Sequence, residues 1–134
     1  MTTDIEIFRK LASEIDWTEP WLICVMSVHL LCTIIAIVTH LEKAHNFQLG
    51  LFAILICFGA ATERINEYGA ENWRLFAGQQ YFDSSGLFMT LVFSLPIVLN
   101  CLLILGSWLL TIFRLVVSVK RRERQSQLKE KKKK

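Results

Sequence analysis

Apolar positions fall into three long blocks joined by short polar links, and a shorter segment of mixed character precedes them. In that first segment Ile5, Phe8, Leu11, Ala12 and Ile15 recur every three or four residues, while Asp4, Glu6, Arg9, Lys10 and Glu14 fill the other face. This spacing predicts an amphipathic helix over residues 3–15, its apolar face lying along a membrane surface or against the rest of the fold. Thr3 followed three residues later by Glu6 matches a capping box, in which the hydroxyl and the carboxylate each satisfy a free backbone N–H. The stretch Asp16-Trp17-Thr18-Glu19-Pro20-Trp21 then closes one helix and opens another, because proline suits a first turn and the residue before it is pushed out of helical geometry.

Trp21 to Thr39 is almost wholly apolar and, at ~1.5 Å per residue, reaches roughly 28 Å as a helix, which is bilayer length. We assign 21–39 as the first membrane span. A polar link, 40–46, leads to a second apolar run from Phe47 to Thr62, at ~24 Å slightly short for a bilayer. Its helix is expected to continue into the interface, giving a span at 47–65. Residues 66–86 mix charge with Tyr68, Trp73, Phe76, Tyr81 and Phe82 and contain the turn signal Asp83-Ser84-Ser85-Gly86, so they read as a loop and short helix at headgroup level. Leu87 to Val119 would measure ~50 Å if helical throughout, so part of it must tilt or leave the membrane. We place the third span at 87–113, with Pro96 as a candidate kink and the exit between Trp108 and Arg114, where an amphipathic tryptophan and a snorkelling arginine suit the interface. The tail, 114–134, continues into water. The expected fold is a single all-α membrane domain, 1–134: three transmembrane helices, an N-terminal amphipathic helix and a basic C-terminal helical tail.

Composition agrees with one compact unit: 134 residues, 53% hydrophobic, two prolines and a net charge of +3. That small net charge conceals an asymmetry. Five acids stand in the first nineteen residues, whereas nine basic residues are packed between Lys120 and Lys134. Basic flanks resist translocation, so the tail is expected on the cytoplasmic or nucleoplasmic side, and three spans then put the N-terminus and the 66–86 loop in the lumen. Trp17, Trp21, Trp73 and Tyr81 would form one aromatic belt on that lumenal face. Cys24, Cys32, Cys57 and Cys101 all lie in apolar runs without C-x-x-C spacing, which points to neither a disulfide framework nor zinc. The first residues have no basic n-region or myristoylation glycine, so neither a cleaved signal peptide nor a lipid anchor is expected there.

Candidate chemistry is sparse. His29 and Asn100 lie inside expected spans at depths about 8 Å apart, where they serve either interhelical hydrogen bonding or a proton or ligand site. Glu63, Glu67 and Glu71 repeat on one helical face beside Arg64 and Arg74, which calls for an arginine or a cation nearby. With Trp17, Trp21, Trp73 and Tyr81, the residues Glu63, Glu67 and Arg74 define a candidate lumenal interfacial cluster. No nucleophile–base arrangement, phosphate loop or paired-acid motif is recognisable, and neither an enzyme, a metal nor a cofactor is expected. The candidate anion-binding residues are Arg114, Lys120, Arg121, Arg122, Arg124, Lys129, Lys131, Lys132, Lys133 and Lys134. Such a tail fits a positive-inside determinant touching anionic lipid, a phosphate-neutralising DNA contact, a nuclear localisation signal, or a dilysine retrieval signal through Lys131 and Lys132.

Particular words of the chain narrow these alternatives. Asp16-Trp17-Thr18-Glu19-Pro20-Trp21-Leu22, Ile65-Asn66-Glu67, Asn72-Trp73-Arg74-Leu75-Phe76, Gln80-Tyr81-Phe82-Asp83-Ser84 with Gly86, and Val92-Phe93-Ser94 with Pro96 and Asn100 closely resemble the transmembrane protein 18 family, in order, across residues 16–124. The resemblance implies a small three-span protein of the nuclear envelope whose basic C-terminal segment binds DNA and represses transcription by holding chromatin at the membrane. It further implies self-association, links to cell migration and, in vertebrates, to body-weight control. The implied partners are membrane lipid, DNA through Arg114 and the tail, a second copy of the chain, and nuclear-envelope proteins yet to be identified. The competing expectations are an endoplasmic reticulum and nuclear-envelope scaffold or adaptor whose tail contacts anionic lipid or protein, and a small transporter or channel subunit.

Overall fold

The computed structural model describes residues 3–134. Helix α1 covers Asp4–Glu14, α2 Pro20–Leu41, α3 His45–Ala60 and α4 Thr62–Asn72, the last running into a single 3₁₀ turn at Trp73–Leu75. After an irregular stretch, α5 (Leu87–Met89), five residues wound as π-helix (Thr90–Ser94) and α6 (Leu95–Lys133) follow one another as a continuous rod of 47 residues. Among the described residues two helices are long and apolar enough to cross a membrane, Pro20–Leu41 and Leu87–Lys133; α3 with the helix after it makes a third candidate, bent by 53° at Ala61. The protein is an all-α membrane protein.

Contacts fix the directions of the helices. Leu22 shares one buried cluster with Phe88, Met89 and Val92, Thr33 bonds Asn100, and Ala36 shares a second cluster with Ile97 and Ile104, so α2 runs parallel to the rod that ends in α6. Along α3 the order is reversed: Gln48 meets Ser107, Phe52 meets Trp108, Phe58 meets Phe93 and Gly59 faces Ile97. At ~1.5 Å per residue α2 is ~33 Å long and matches a bilayer, whereas α3 is ~24 Å and does not. The bend at Ala61 is where the helix leaves that direction, and the charged α4 (Glu63, Arg64, Glu67) runs off obliquely. The expected span at 47–65 is thus divided at Ala61.

Local chemistry explains the other breaks. Thr3 holds the N-cap of α1, but its hydroxyl makes no capping bond; the Glu6 N–H donates to the Thr3 carbonyl at 2.8 Å, so the expected capping box does not form. At the end of α2 the Ala44 N–H reaches the Thr39 carbonyl (2.9 Å) and the Lys43 N–H the His40 carbonyl (3.2 Å), the paired bonds of a Schellman turn. Its left-handed position, usually glycine, is taken by Lys43 with φ 56°. Pro96 lies in the first turn of α6, directly after the π stretch. A proline ring crowds the carbonyl four residues back and has no N–H to offer it, and widening the preceding turn relieves both problems.

Polar side chains tie the helices to one another. Gln48 of α3 is wholly buried; its Nε2 donates to Ser107 Oγ of α6 (3.1 Å) and to the Ala36 carbonyl of α2 (3.3 Å), while its Oε1 accepts from Trp108 Nε1 (2.6 Å). Trp108 is therefore bonded within the bundle and is not the free interfacial anchor expected of it. Thr33 Oγ1 donates to Asn100 Oδ1 at 2.8 Å, and Asn100 Nδ2 donates to the Pro96 carbonyl at 3.1 Å.

Gln48→Leu keeps the volume but orphans the Trp108 N–H at a three-helix junction, and is expected to cost about 1–2 kcal/mol. Asn100→Leu removes one interhelical bond and is expected to cost about 0.6 kcal/mol, the average for such bonds in membranes. Equilibrium unfolding in micelles checks the ranking; an Asn100 variant weaker than the Gln48 variant would sink it.

Candidate functional site: a basic helix opposite an aromatic cap

The bundle has two chemically opposite ends. At the first, an aromatic cap closes over the start of α2. Ile15, Leu22, Tyr81, Phe82, Phe88, Met89 and Val92 are buried together, with Trp21 and Trp73 packed against them. The Trp21 ring lies 5.3–5.9 Å from those of Phe76, Tyr81, Phe82 and Phe88, and Tyr81 stacks on Phe88 at 4.7 Å. Only the end of α1 joins this cluster, through Leu11 and Ile15; Ile5 and Phe8 remain exposed.

Glu19, the residue before Pro20, organises the cap. Its carboxylate accepts from the Tyr81 hydroxyl (2.7 Å), the Trp21 indole N–H (2.5 Å) and the Gly78 N–H (3.1 Å), and the Tyr81 oxygen accepts in turn from the Asp16 N–H (3.2 Å). Partial burial pushes the Glu19 carboxyl up, but the three donors outweigh it and hold the group below its ordinary 4.5. Burial, together with the bond to Glu19, raises the Tyr81 phenol above 10.0. Around this centre the Gln79 amide donates to the Glu14 carbonyl (2.9 Å) and the Asn66 amide to the Asp83 carbonyl (2.9 Å). Asp83 accepts from the N–H of Gly86, whose φ of 65° is the left-handed value that the expected turn needs glycine for.

Of the residues assigned to the interfacial cluster, Trp21, Trp73 and Tyr81 come together. Glu63 and Glu67 project from α4 into solvent, Arg74 is exposed with its guanidinium 5.5 Å from the Trp73 ring, and Trp17 is half-exposed, donating to the Ala12 carbonyl at 3.0 Å. In the sequence Glu19 reads as one acid among five. Its place directly before Pro-Trp, at the mouth of an apolar run, is the signal that could have found it. His29 and Asn100 are not partnered: Asn100 bonds Thr33, while His29 packs edge-on to Phe93 at 5.7 Å, and both line a lipid-side groove. Among the described residues no three His, Cys, Asp or Glu side chains converge on a point that would hold a metal.

At the other end α6 leaves the bundle. Every residue from Ile112 to Lys134 is exposed, and the helix continues without a break to Lys133. Lys120, Arg121, Arg122, Arg124, Lys129, Lys131, Lys132, Lys133 and Lys134 therefore stand on one free rod, with Arg114 at its root beside the turn after α2. Successive side chains step by ~100° around a helix, so Lys120, Arg121 and Arg122 alone wrap more than half of its circumference. Beyond Val119 only Leu128 is strongly apolar.

Two outcomes test the cap. A carboxylate with a depressed pKa contributes stability that is complete above 4.5 and is lost as pH falls through the folded value; a phenol with a raised pKa contributes stability that is lost as pH rises past 10.0. Trp21 fluorescence of the lipid-reconstituted chain is expected to change at both limits, and Glu19→Gln to flatten the acid limb. An unchanged acid limb in that variant would remove Glu19 from its central place. Gly69→Ala tests the packing, since a Cβ there would stand 2.6 Å from Phe82. Overpacking costs about 1–3 kcal/mol against at most about 1 kcal/mol of helix propensity gained, so a net loss on thermal unfolding is expected.

Comparison with known proteins accords with this architecture. A family model described as Transmembrane protein 18 matches residues 10–129. The chain is similar to Transmembrane protein 18 of Xenopus laevis, 37% identical over 122 residues that cover 89% of this chain and 88% of that protein. It is also similar to Transmembrane protein 18 of Danio rerio, 34% identical over 106 residues covering 79% and 68% respectively. No solved structure matches it. The match reaches from the last turns of α1 into the basic rod and covers most of the chain, and the chain belongs to the Transmembrane protein 18 family.

Proposed function

We propose that the chain is a three-span protein of the nuclear membrane, its tail in the nucleoplasm and its aromatic cap in the lumen, and that the tail tethers DNA to the membrane and so represses transcription. The role is one of binding and anchoring, not catalysis, and the chain is taken to work as a homo-oligomer alongside other nuclear-envelope proteins. Lys/Arg bias supports the orientation: Lys43, Arg114 and the nine basic residues of the tail stand at one end against Arg9, Lys10, Arg64 and Arg74 at the other, the excess that keeps the basic end from crossing.

The observation that carries the DNA reading is the continuity of α6. Lys120 follows the end of the apolar run, and Lys129 to Lys134 lie ~14–21 Å further along the axis. The Debye length at physiological salt is about 8 Å, so the outer lysines stand two lengths beyond most of the attraction of surface lipid. Nor is the rod built to lie flat, because its cations surround it and it has no apolar face to bury. A polyanion approaching from water satisfies both conditions. Cations without a convergent set of base-reading amides contact phosphate and position a duplex without reading it.

The full chain in nanodiscs of uncharged phosphatidylcholine is expected to bind duplexes of unrelated sequence equally and to retain binding at physiological salt. Contact with about five phosphates gives a slope of about −4.5 in log K against log salt. Changing Lys131 to Lys134 to glutamine is expected to reduce that slope by about 3. Binding abolished at physiological salt would overturn the DNA reading in favour of an adaptor, and a strong preference for one duplex would show base contacts that this proposal lacks.

A further inference from the structure

The rod carries its charge away from the bilayer, yet another group of cations sits at the membrane boundary. Where the turn after α2 meets α6, His40, Lys43, His45 and Arg114 line a pocket of about 490 Å³ flanked by Leu41 and Leu115. Its depth follows from α2, whose bilayer-matching length ends at Leu41. The cationic groups come from three stretches of chain that only the folded bundle brings together: the last turn of α2, the Schellman turn with the start of α3, and α6. Glu42 is the one carboxylate in the turn, and it is exposed.

Two details mark the pocket as a site. Lys43 holds a backbone conformation that glycine would adopt without strain, so the turn carries a cation where the fold alone favours none. His40, half-buried, brings an imidazole to the same pocket. Leu41 and Leu115 are both largely exposed beside these polar groups, which gives the pocket one charged wall and one apolar flank.

We propose that this pocket binds the phosphate of an anionic phospholipid in the leaflet on the tail's side. Arg114 offers a planar fork and Lys43 a point charge to the phosphate oxygens, His40 and His45 supply imidazole N–H donors, and one acyl chain runs past Leu41 and Leu115. A duplex held on the rod stands off the membrane and does not reach this depth. A free phosphate leaves the apolar flank uncovered. The site does not rest on the DNA reading and survives its failure.

The test uses the full chain reconstituted in phosphatidylcholine with a minority of phosphatidylglycerol, then extracted in mild detergent, with retained phosphatidylglycerol per chain counted by mass spectrometry. Near a membrane surface each cation is worth roughly fivefold in retention, so Lys43→Gly or Arg114→Gln is expected to reduce retention about fivefold and the double variant about thirtyfold. Lys43→Gly relaxes the backbone while it removes the charge, so its loss of lipid cannot be ascribed to unfolding; unchanged Trp108 fluorescence checks Arg114→Gln. Changing Lys131 to Lys134 to glutamine removes more charge and is expected to leave retention unchanged. The proposal is overturned if the two pocket variants retain lipid like the unaltered chain, if the tail variant loses as much as they do, or if inorganic phosphate displaces the lipid at equal concentration.

Discussion

Helices in hydrocarbon gain little by burying leucine against leucine, because the lipid they leave is as apolar as the neighbour they meet; register must come from close packing and the few polar side chains that cross between helices. Here Gln48 has the largest share. Wholly buried, it reaches backbone of α2 and side chains of α6, so one amide sets the depth of α3 against both parallel helices. Thr33 and Asn100 repeat the device at mid-bundle between α2 and α6. Glu19 does the same at the cap, where it joins the start of α2 to Tyr81 and the Gly78 backbone. These links lie at three levels along α2, and together they oppose sliding and rotation of the helices.

The blocks of apolar residues announce the helices, and the tryptophan-rich words announce the cap, because both signals are local in the chain. Asp16–Leu22 and Gln80–Ser84, two of the words that carry the family resemblance, prove to be contact partners through Glu19, Trp21 and Tyr81. What the sequence hides are pairings across some sixty residues. Gln48 reads as a blemish in an apolar run and Trp108 as an interfacial anchor, until the fold lays one on the other. Hydropathy cannot register the bend at Ala61 either, since an apolar run reports only that residues are apolar, not that their axis turns. Lys43 in a glycine position is invisible for a related reason: its conformation is imposed by the carbonyls of Thr39 and His40, which the turn must satisfy.

The site assignments diverge by the same logic. Glu63, Glu67 and Arg74 stand near the aromatic words in sequence, but a helix rotates neighbours away from one another by ~100° per residue, and α4 turns the first two outward. Glu19 is sixty-two residues from Tyr81 and reaches it across the cap. At the other end the cations from Lys120 to Lys134 remain together because, among the described residues, nothing folds back on them, whereas Arg114 meets the turn after α2. Charge on a free helix can be read directly from sequence; charge within a packed structure depends on what the packing selects.

The excess length of α6 also finds its explanation in the cap. Leu87 to Val119 measures ~50 Å against ~30 Å of hydrocarbon. Phe88, Met89 and Val92, however, are covered by Trp21, Tyr81 and Phe82, so the first two turns are buried in protein and need no lipid. Leu95 to Phe113 remains, ~28 Å, which matches the hydrocarbon and puts Arg114 at its boundary. Beyond that boundary Lys134 stands ~21 Å along the axis from Lys120, more than two Debye lengths. The aromatic cap therefore does more than close the far end of the bundle: by sheltering the start of α6 it allows the rest of the helix to span the bilayer and emerge as a cationic rod standing clear of the surface.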